Sequence, residues 1–365
     1  MSLSMKFPGA YFQGKDALEE FAEHTMCYGR SFLFVGSKSA LRVSKEKLAH
    51  SFSGTDAQIQ FELTSGVPCA SEIQRVTKLA ADSGAQVLCA IGGGGVMDIV
   101  RSAAMDLGRA MVMIPTAAAS DAPCTFVSVL YSENGQEIVG DRIFHKCPDL
   151  VYVDTTIVAQ APVRLLVSGM GDALATYFEA RAVAASGALS CAGGKPTKGA
   201  LALAKLCYET LLEDGVKAKL AVEAGACTQA VENIIEANTY LSGIGFESGG
   251  LAGAHAIHNG LTVIKDCHHL YHGEKVAFGT LTQLVLENAG QKLLEEVIGF
   301  CMDVGLPTTF AELGMARPDK DLLMEAAVRA CSPDDTLVNM PFEVTPEMVY
   351  AAMVGADALG RYFKN

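Results

Sequence analysis

The chain has 365 residues, half of them hydrophobic, with 36 Gly, 11 Cys, no Trp and a formal net charge of −13. Single hydrophobic cores stop growing at roughly 250–300 residues, so two domains are expected. An acidic surface without a Lys/Arg block excludes a phosphate-tracking nucleic-acid face, and the lack of an uncharged apolar run of about 18 residues excludes a membrane-spanning helix.

The opening MSLSMKFPGAYF lacks the apolar stretch of a signal peptide, and Met5 is a candidate native start behind a cloning remnant. Residues 31–36 (SFLFVG) read as a buried strand and residues 73–83 as a helix. Ala85–Ile91 is a second apolar run, followed directly by Gly92–Gly95 and by a helix over VMDIVRSAAMDL. Residues 110–114 form a third strand, stopped by Pro115. Residues 125–131 and 149–154 add strands, and Glu133-Asn134-Gly135 is a hairpin turn. Strands joined by helices predict a parallel sheet. Beyond about residue 160 the pattern turns helical, over Gly171–Ala185, Thr197–Glu213, Val216–Tyr240 and Glu274–Asn288. Glu213–Lys219 reads as a solvated turn broken at Gly215, and the Met residues near 340–353 as core or interface. The expected architecture is an α/β nucleotide-binding domain over residues 1–160 and an all-α domain over residues 161–365, joined at Ala161-Pro162. The cysteines are odd in number, irregularly spaced and without a CxxC pair, which fits thiols in a reducing, cytoplasmic setting.

Three segments carry chemistry. In IGGGGVMD (residues 91–98) glycines follow a strand and open a helix. Gly93, Gly94 and Gly95 let a pyrophosphate approach the backbone, and the helix start offers N–H groups to it; the alternative is a tight turn with no ligand. In PTAAASDAP (residues 115–123) an acid, Asp121, lies beyond a strand end, where open α/β sheets bind ligands; a turn or helix cap is the alternative. The third combines Gly171-Asp172 with HAIHNG (255–260) and HHLYHGEKVAFG (268–279), so that five of the eight histidines fall within 18 positions. An Asp with two His and an open position suits a catalytic zinc or ferrous ion. Spacing alone does not choose among the five.

The same three segments, together with SVLYSENG, CPDLVYVDT and GFESGGLAGAHAIHNGLT, resemble the glycerol dehydrogenases of the iron-containing alcohol dehydrogenase superfamily over roughly residues 31–281. That resemblance implies a dehydroquinate synthase-like architecture with the active site between an α/β and a helical domain. It implies a metal, Zn²⁺ or Fe²⁺, held by Asp172, His255 and His272, with His258 outside the ligand set and a candidate for a catalytic proton relay. It implies that Asp121 contacts the substrate, and that NAD lies against Gly94, Gly95, Thr116, Ala119, Thr125, Val127 and Tyr131, with Asp98 beside the nicotinamide. It further implies a small polyol substrate and a homo-oligomer. Position 95 departs from the usual Lys of the glycine loop and Ala119 from a frequent Ser. Ser37 replaces the acid that holds the adenosine ribose, so NADP is admitted. The implied reaction is metal-assisted hydride transfer from glycerol or a 1,2-diol. Three rivals remain: an NADPH-dependent 2-oxo acid or hydroxycarboxylate reductase, a dehydroquinate synthase-like lyase, and a non-catalytic binding protein. The lyase would need a phosphate-binding Lys/Arg cluster, which the helical half lacks near the His residues.

Overall fold

The computed structural model describes residues 2–364. The chain divides into two compact units, one of Phe7–Ala161 with Gly225–Cys227, the other of the segment up to Lys6, Pro162–Ala224 and the residues from Thr228 onward.

The first unit contains strands β1 (Tyr11–Gly14), β2 (Ser31–Gly36), β3 (Gln58–Leu63), β4 (Val87–Gly92), β5 (Ala110–Pro115), β6 (Val127–Tyr131), β7 (Ile138–Ile143) and β8 (Leu150–Asp154). Its helices are α1 (Phe21–Thr25), α2 (Lys38–Ser51), α3 (Ala70–Asp82), α4 (Gly94–Leu107) and α5 (Thr155–Ala159). Among the described residues, six strands pair in parallel in the order β1-β8-β5-β4-β2-β3, while β6 and β7 form a separate antiparallel hairpin. The inner strands are apolar throughout because both faces are covered; β4 and β8 are buried along their whole length. Phe21, Phe34, Phe52 and Tyr152 pack at the centre of that core. Strand order reverses between β2 and β4, which lie side by side with Gly36 opposite Ile91. The carboxyl ends at such a reversal are where open α/β sheets take ligands. Ser37 and Gly92–Gly95 both lie there.

The second unit contains α6 (Val163–Ser186), α7 (Lys198–Glu223), α8 (Gln229–Glu236), α9 (Ser242–Gly249), α10 (Gly253–Leu261), α11 (His272–Leu286), α12 (Gln291–Val304), α13 (Lys320–Ala330) and α14 (Pro346–Phe363). The turn expected at Glu213–Lys219 is absent: α7 runs unbroken through it. Gly215 is a contact point rather than a breaker, since a Cβ there would lie 2.7 Å from Cε2 of Phe300 on α12. Met340 and Met353 are buried in the core. Ser4 and Lys6 fasten the start of the chain to this unit: Ser4 Oγ donates to Ala192 O at 2.9 Å, and Lys6 N–H to Ser248 Oγ at 3.0 Å. None of the cysteines is disulfide-bonded; seven are buried, Cys191 and Cys331 half-buried, and Cys27 and Cys227 exposed. Among the described residues, no helix is long and apolar enough to cross a membrane.

Candidate functional site

Three helices of the second unit bring Asp172 (α6), His255 (α10) and His272 (the first residue of α11) together. Glycine makes the approach close enough. A Cβ on Gly171 would collide with the Gly273 carbonyl and stand 2.8 Å from Leu306 Cδ2; one on Gly273 would collide with the Ser168 carbonyl and stand 2.8 Å from Asp172 N. Gly279 presses in the same way on the Ala254 carbonyl of α10. Backbone therefore meets backbone at α6/α11 and α11/α10, and the ligand candidates sit beside those crossings. Ala175, Ala254 and Val276 fill the space between the three helices.

The Nε2 atoms of His255 and His272 point at the same carboxylate oxygen, Asp172 Oδ1, at 3.5 and 3.2 Å. One ligand atom from each of the three residues falls within 4.8 Å of the others. Asp172 is buried. Burial by itself would raise its carboxyl, but His272 and His255 outweigh that and hold it well below the usual carboxylate range. Burial likewise opposes a charge on His255, yet the Glu179 and Asp172 carboxylates keep its imidazole far more basic than usual. Without a metal the trio favours a positive charge between its members, where a divalent cation would displace protons. The donor set, one carboxylate oxygen and two imidazole nitrogens, fits a divalent zinc or iron.

Each imidazole is also held from behind. Glu179, fully buried on α6, receives His255 Nδ1–H on Oε2 at 2.6 Å, while Oε1 accepts the backbone N–H groups of Ala252 (2.8 Å) and His255 (3.0 Å). With Nδ1 committed to Glu179, Nε2 is the nitrogen that His255 turns to Asp172 and would offer to a metal. His272 Nδ1 lies 3.0 Å from His258 Nε2. Burial and then the charges of His272 and Lys275 push His258 well below the ordinary imidazole range, so it is neutral. The other two histidines of the cluster turn to backbone carbonyls, His268 to Thr262 O (2.8 Å) and His269 to Asp266 O (2.7 Å). The start of α11 is fixed by a capping box between Tyr271 and Glu274. Arg164 of α6 grips Glu274 through two bonds of 2.6 and 2.8 Å.

In the α/β unit, Gly93 is the N-cap of α4 and is exposed; a Cβ on it would meet no atom within 4 Å. The first bonds of α4 run from Val96 and Met97 N–H to Gly93 O (3.1 and 3.2 Å), so Gly94 and Gly95 stand ahead of them at the helix start, a position that suits a dinucleotide phosphate. Gly95 has the opposite surroundings: a Cβ there would collide with the Gly66 carbonyl. The side chain missing at position 95 has its room taken by the loop before α3, which is tied to the hairpin through Tyr131 N–H to Pro68 O (3.1 Å). Gly95→Ala is therefore expected to lower stability by about 1–3 kcal/mol. Gly93→Ala should leave the melting temperature nearly unchanged but weaken dinucleotide binding. Calorimetry with a cofactor titration checks both, and equal melting temperatures for the two variants would contradict the assignment.

Arg101, fully buried on α4, ties this half together. Its guanidinium donates to Asp98 Oδ1 (2.6 Å), Val127 O (2.7 Å) and Ala122 O (2.6 Å). Burial raises the Asp98 carboxyl to about 6, against the pull of Arg101. The loop carrying Ala119 and Asp121 is thus fastened to the glycine helix. Ser120 Oγ accepts Ala122 N–H at 3.4 Å, Asp121 O accepts Cys124 N–H at 3.1 Å, and Thr125 Oγ1 accepts Val127 N–H at 3.0 Å. Thr116 N–H donates to Gly92 O at 3.3 Å, beside the glycine turn. Ser37 is the N-cap of α2, its Oγ accepting Ala40 N–H at 3.3 Å. Sequence reasoning had not singled out Glu179, Arg101, Asn259 or Asp335.

A profile of the iron-containing alcohol dehydrogenases matches residues 8–155. Over 97% of both chains the protein is 47% identical to a glycerol dehydrogenase of Citrobacter freundii. It is 43% identical to a glycolaldehyde reductase of Halobacterium salinarum over the full length of each. The solved glycerol dehydrogenase of Schizosaccharomyces pombe superposes with a TM-score of 0.94 at 32% identity, covering 100% of this chain and 92% of that one.

Proposed function

The chain belongs to the iron-containing alcohol dehydrogenase family, in its glycerol dehydrogenase branch, and from that premise we propose that it oxidises a secondary hydroxyl of glycerol or a 1,2-diol with a nicotinamide dinucleotide and a divalent metal held by Asp172, His255 and His272. The observation that carries the reading is the convergence of two imidazole Nε2 atoms on one buried carboxylate oxygen, each ring held from behind by a partner at Nδ1.

When bound, the metal supplies Lewis acidity toward the substrate oxygen, and the nicotinamide accepts hydride at C4. Asp172, His255 and His272 fix the position of the reacting hydroxyl, and Glu179 holds the Nδ1 side of His255 so that Nε2 is the nitrogen left for the metal. Asp121 takes a neighbouring hydroxyl of the polyol, on a loop that Arg101 holds still. Gly93 and Gly94 at the start of α4 receive the pyrophosphate. Ala119, Thr116, Thr125, Val127 and Tyr131 line the dinucleotide, with Asp98 behind them. His258 has both ring nitrogens engaged, which supports a positioning role over a proton relay. Zinc is the proposed ion. The end of β2 presents a capping Ser37 and then Lys38 instead of a carboxylate, so NADP is accepted alongside NAD.

Steady-state assays with glycerol, 1,2-propanediol, glycolaldehyde and a 2-oxo acid, each with both cofactors and with or without zinc, test this. Zinc-dependent turnover of the polyols is the expected result, with kcat/KM values for NAD⁺ and NADP⁺ of similar size. Reduction of the 2-oxo acid with NADPH in preference to polyol oxidation would transfer the chain to the hydroxycarboxylate reductase reading. A much higher kcat/KM with NAD⁺ than with NADP⁺ would overturn the role given to Ser37.

A further inference from the structure

Behind His272 a line of side chains runs from the metal trio toward solvent. His258 Nδ1 lies 3.0 Å from Asn259 Oδ1. Asn259 Nδ2 in turn lies 3.1 and 3.0 Å from the two oxygens of Asp335. Asp335 also receives Thr336 N–H at 2.8 Å and the half-exposed Arg329 at 3.0 Å. The line thus starts on α10, crosses to the short turn after α13, and ends on α13 itself.

The donor and acceptor inventory fixes every hydrogen in it. An ionised Asp335 only accepts, so Asn259 must turn its –NH₂ toward it. The amide oxygen then faces His258, and because it too only accepts, His258 Nδ1 must carry the proton. A neutral imidazole protonated at Nδ1 is bare at Nε2, so His272 must donate its own Nδ1–H there. The lone pair of His272 is left on Nε2, the atom 3.2 Å from Asp172 Oδ1. We infer that Asn259 and Asp335 are positioning residues that select the tautomer of His272 through His258, keeping His272 Nε2 available to the metal. The inference rests on the reading of Asp172, His255 and His272 as a metal site. Glu179 does the same for His255 across a single bond; for His272 the selecting carboxylate stands three bonds away.

The test uses full-length protein, with zinc affinity measured by chelator competition and the histidine tautomers read from long-range ¹⁵N–¹H spectra of the metal-free form at alkaline pH, where the extra proton of the trio is gone. Asn259→Leu removes the acceptor that holds the His258 proton. It is expected to weaken zinc binding by about 10–100-fold and to bring the Nε2–H form of His272 into view. Asn259→Asp sets two carboxylates against each other and should also weaken binding. Adding Asp335→Asn to it restores one acceptor toward His258 and one donor behind it, so N259D/D335N should recover the wild-type affinity and tautomer. A merely structural role for Asn259 would not produce recovery by exchanging the two residue types. Wild-type affinity and an unchanged tautomer in N259L would overturn the inference. Should N259L fail to fold, the absence of recovery in N259D/D335N relative to N259D would do so. His272→Ala separates the two levels: unchanged zinc affinity there defeats the metal trio itself, whereas lost affinity in H272A beside normal affinity in N259L defeats only the tautomer line.

Discussion

Gly273→Ala is expected to unfold the metal centre without touching a ligand. Its new methyl would strike the Ser168 carbonyl and lie 2.8 Å from Asp172 N, and neither atom belongs to a flexible side chain. Relief requires α11 to move away from α6, carrying His272 from Asp172. Overpacking of this kind costs about 1–3 kcal/mol, and backbone-to-backbone contact puts this case at the upper end. The corresponding fall in melting temperature is roughly 5–10 °C. Zinc affinity, measured by chelator competition, should drop steeply at the same time. Gly299→Ala is the control: it lies inside α12, and a Cβ there meets no atom within 4 Å. A helix-interior Gly→Ala change without a clash should stabilise by about 0.5–1 kcal/mol. If G273A melted like G299A and kept its zinc, the close crossing of α6 and α11 would not be what builds the site.

Asp172→Asn should leave the fold in place and remove the reaction. The amide matches the carboxylate in shape but offers His255 and His272 no negative charge. Metal polarisation supplies several kcal/mol toward the transition state, and each 1.36 kcal/mol is tenfold in rate, so kcat should fall by about 10³-fold or more. Metal analysis of the purified variant should find little bound zinc. Dinucleotide affinity, followed by fluorescence titration, should stay near normal, because the Gly93–Gly95 turn is untouched. Near-normal turnover in D172N would sink the ligand assignment, and loss of dinucleotide binding would show that the substitution disturbs more than the metal.

The elements most legible in the sequence were those with both faces buried. SFLFVG and the apolar run before Gly92 are such strands; each ends in a glycine, and at Gly92 the backbone takes a φ of +148° that favours one. Edge strands were harder. β3 (QIQFEL) alternates between half-buried and exposed positions, and β1 is only four residues long, so neither rises above a loop in composition. At Gly215 a local rule misled: glycine disfavours helix on propensity, but contact with Phe300 decides the matter here. The chemical residues divided in the same way. Asp172 beside Gly171 and the dense histidine run announce a metal, yet spacing alone could not tell His255 and His272 from His258, His268 and His269. What separates them is the partner at each ring nitrogen, and the partners come from other helices. Glu179 did carry a signal: it follows Asp172 by seven residues, two helical turns, and so lies on the same face of α6. Asp335 carried none, being 76 residues from the Asn259 it orients.

The thiols give the protein a built-in gauge of its own opening. Cys27 and Cys227 are exposed, and both lie in the unit that holds the parallel sheet. A maleimide should label these two at once in the native state. The seven buried thiols are spread over both units, with Cys89 in β4 and Cys207 and Cys301 in helices of the other unit. They can react only when their surroundings come apart, so mass spectrometry of a labelling time course would rank the two units by local unfolding free energy. Each cysteine reports its own neighbourhood, and no residue has to be introduced to obtain the reading.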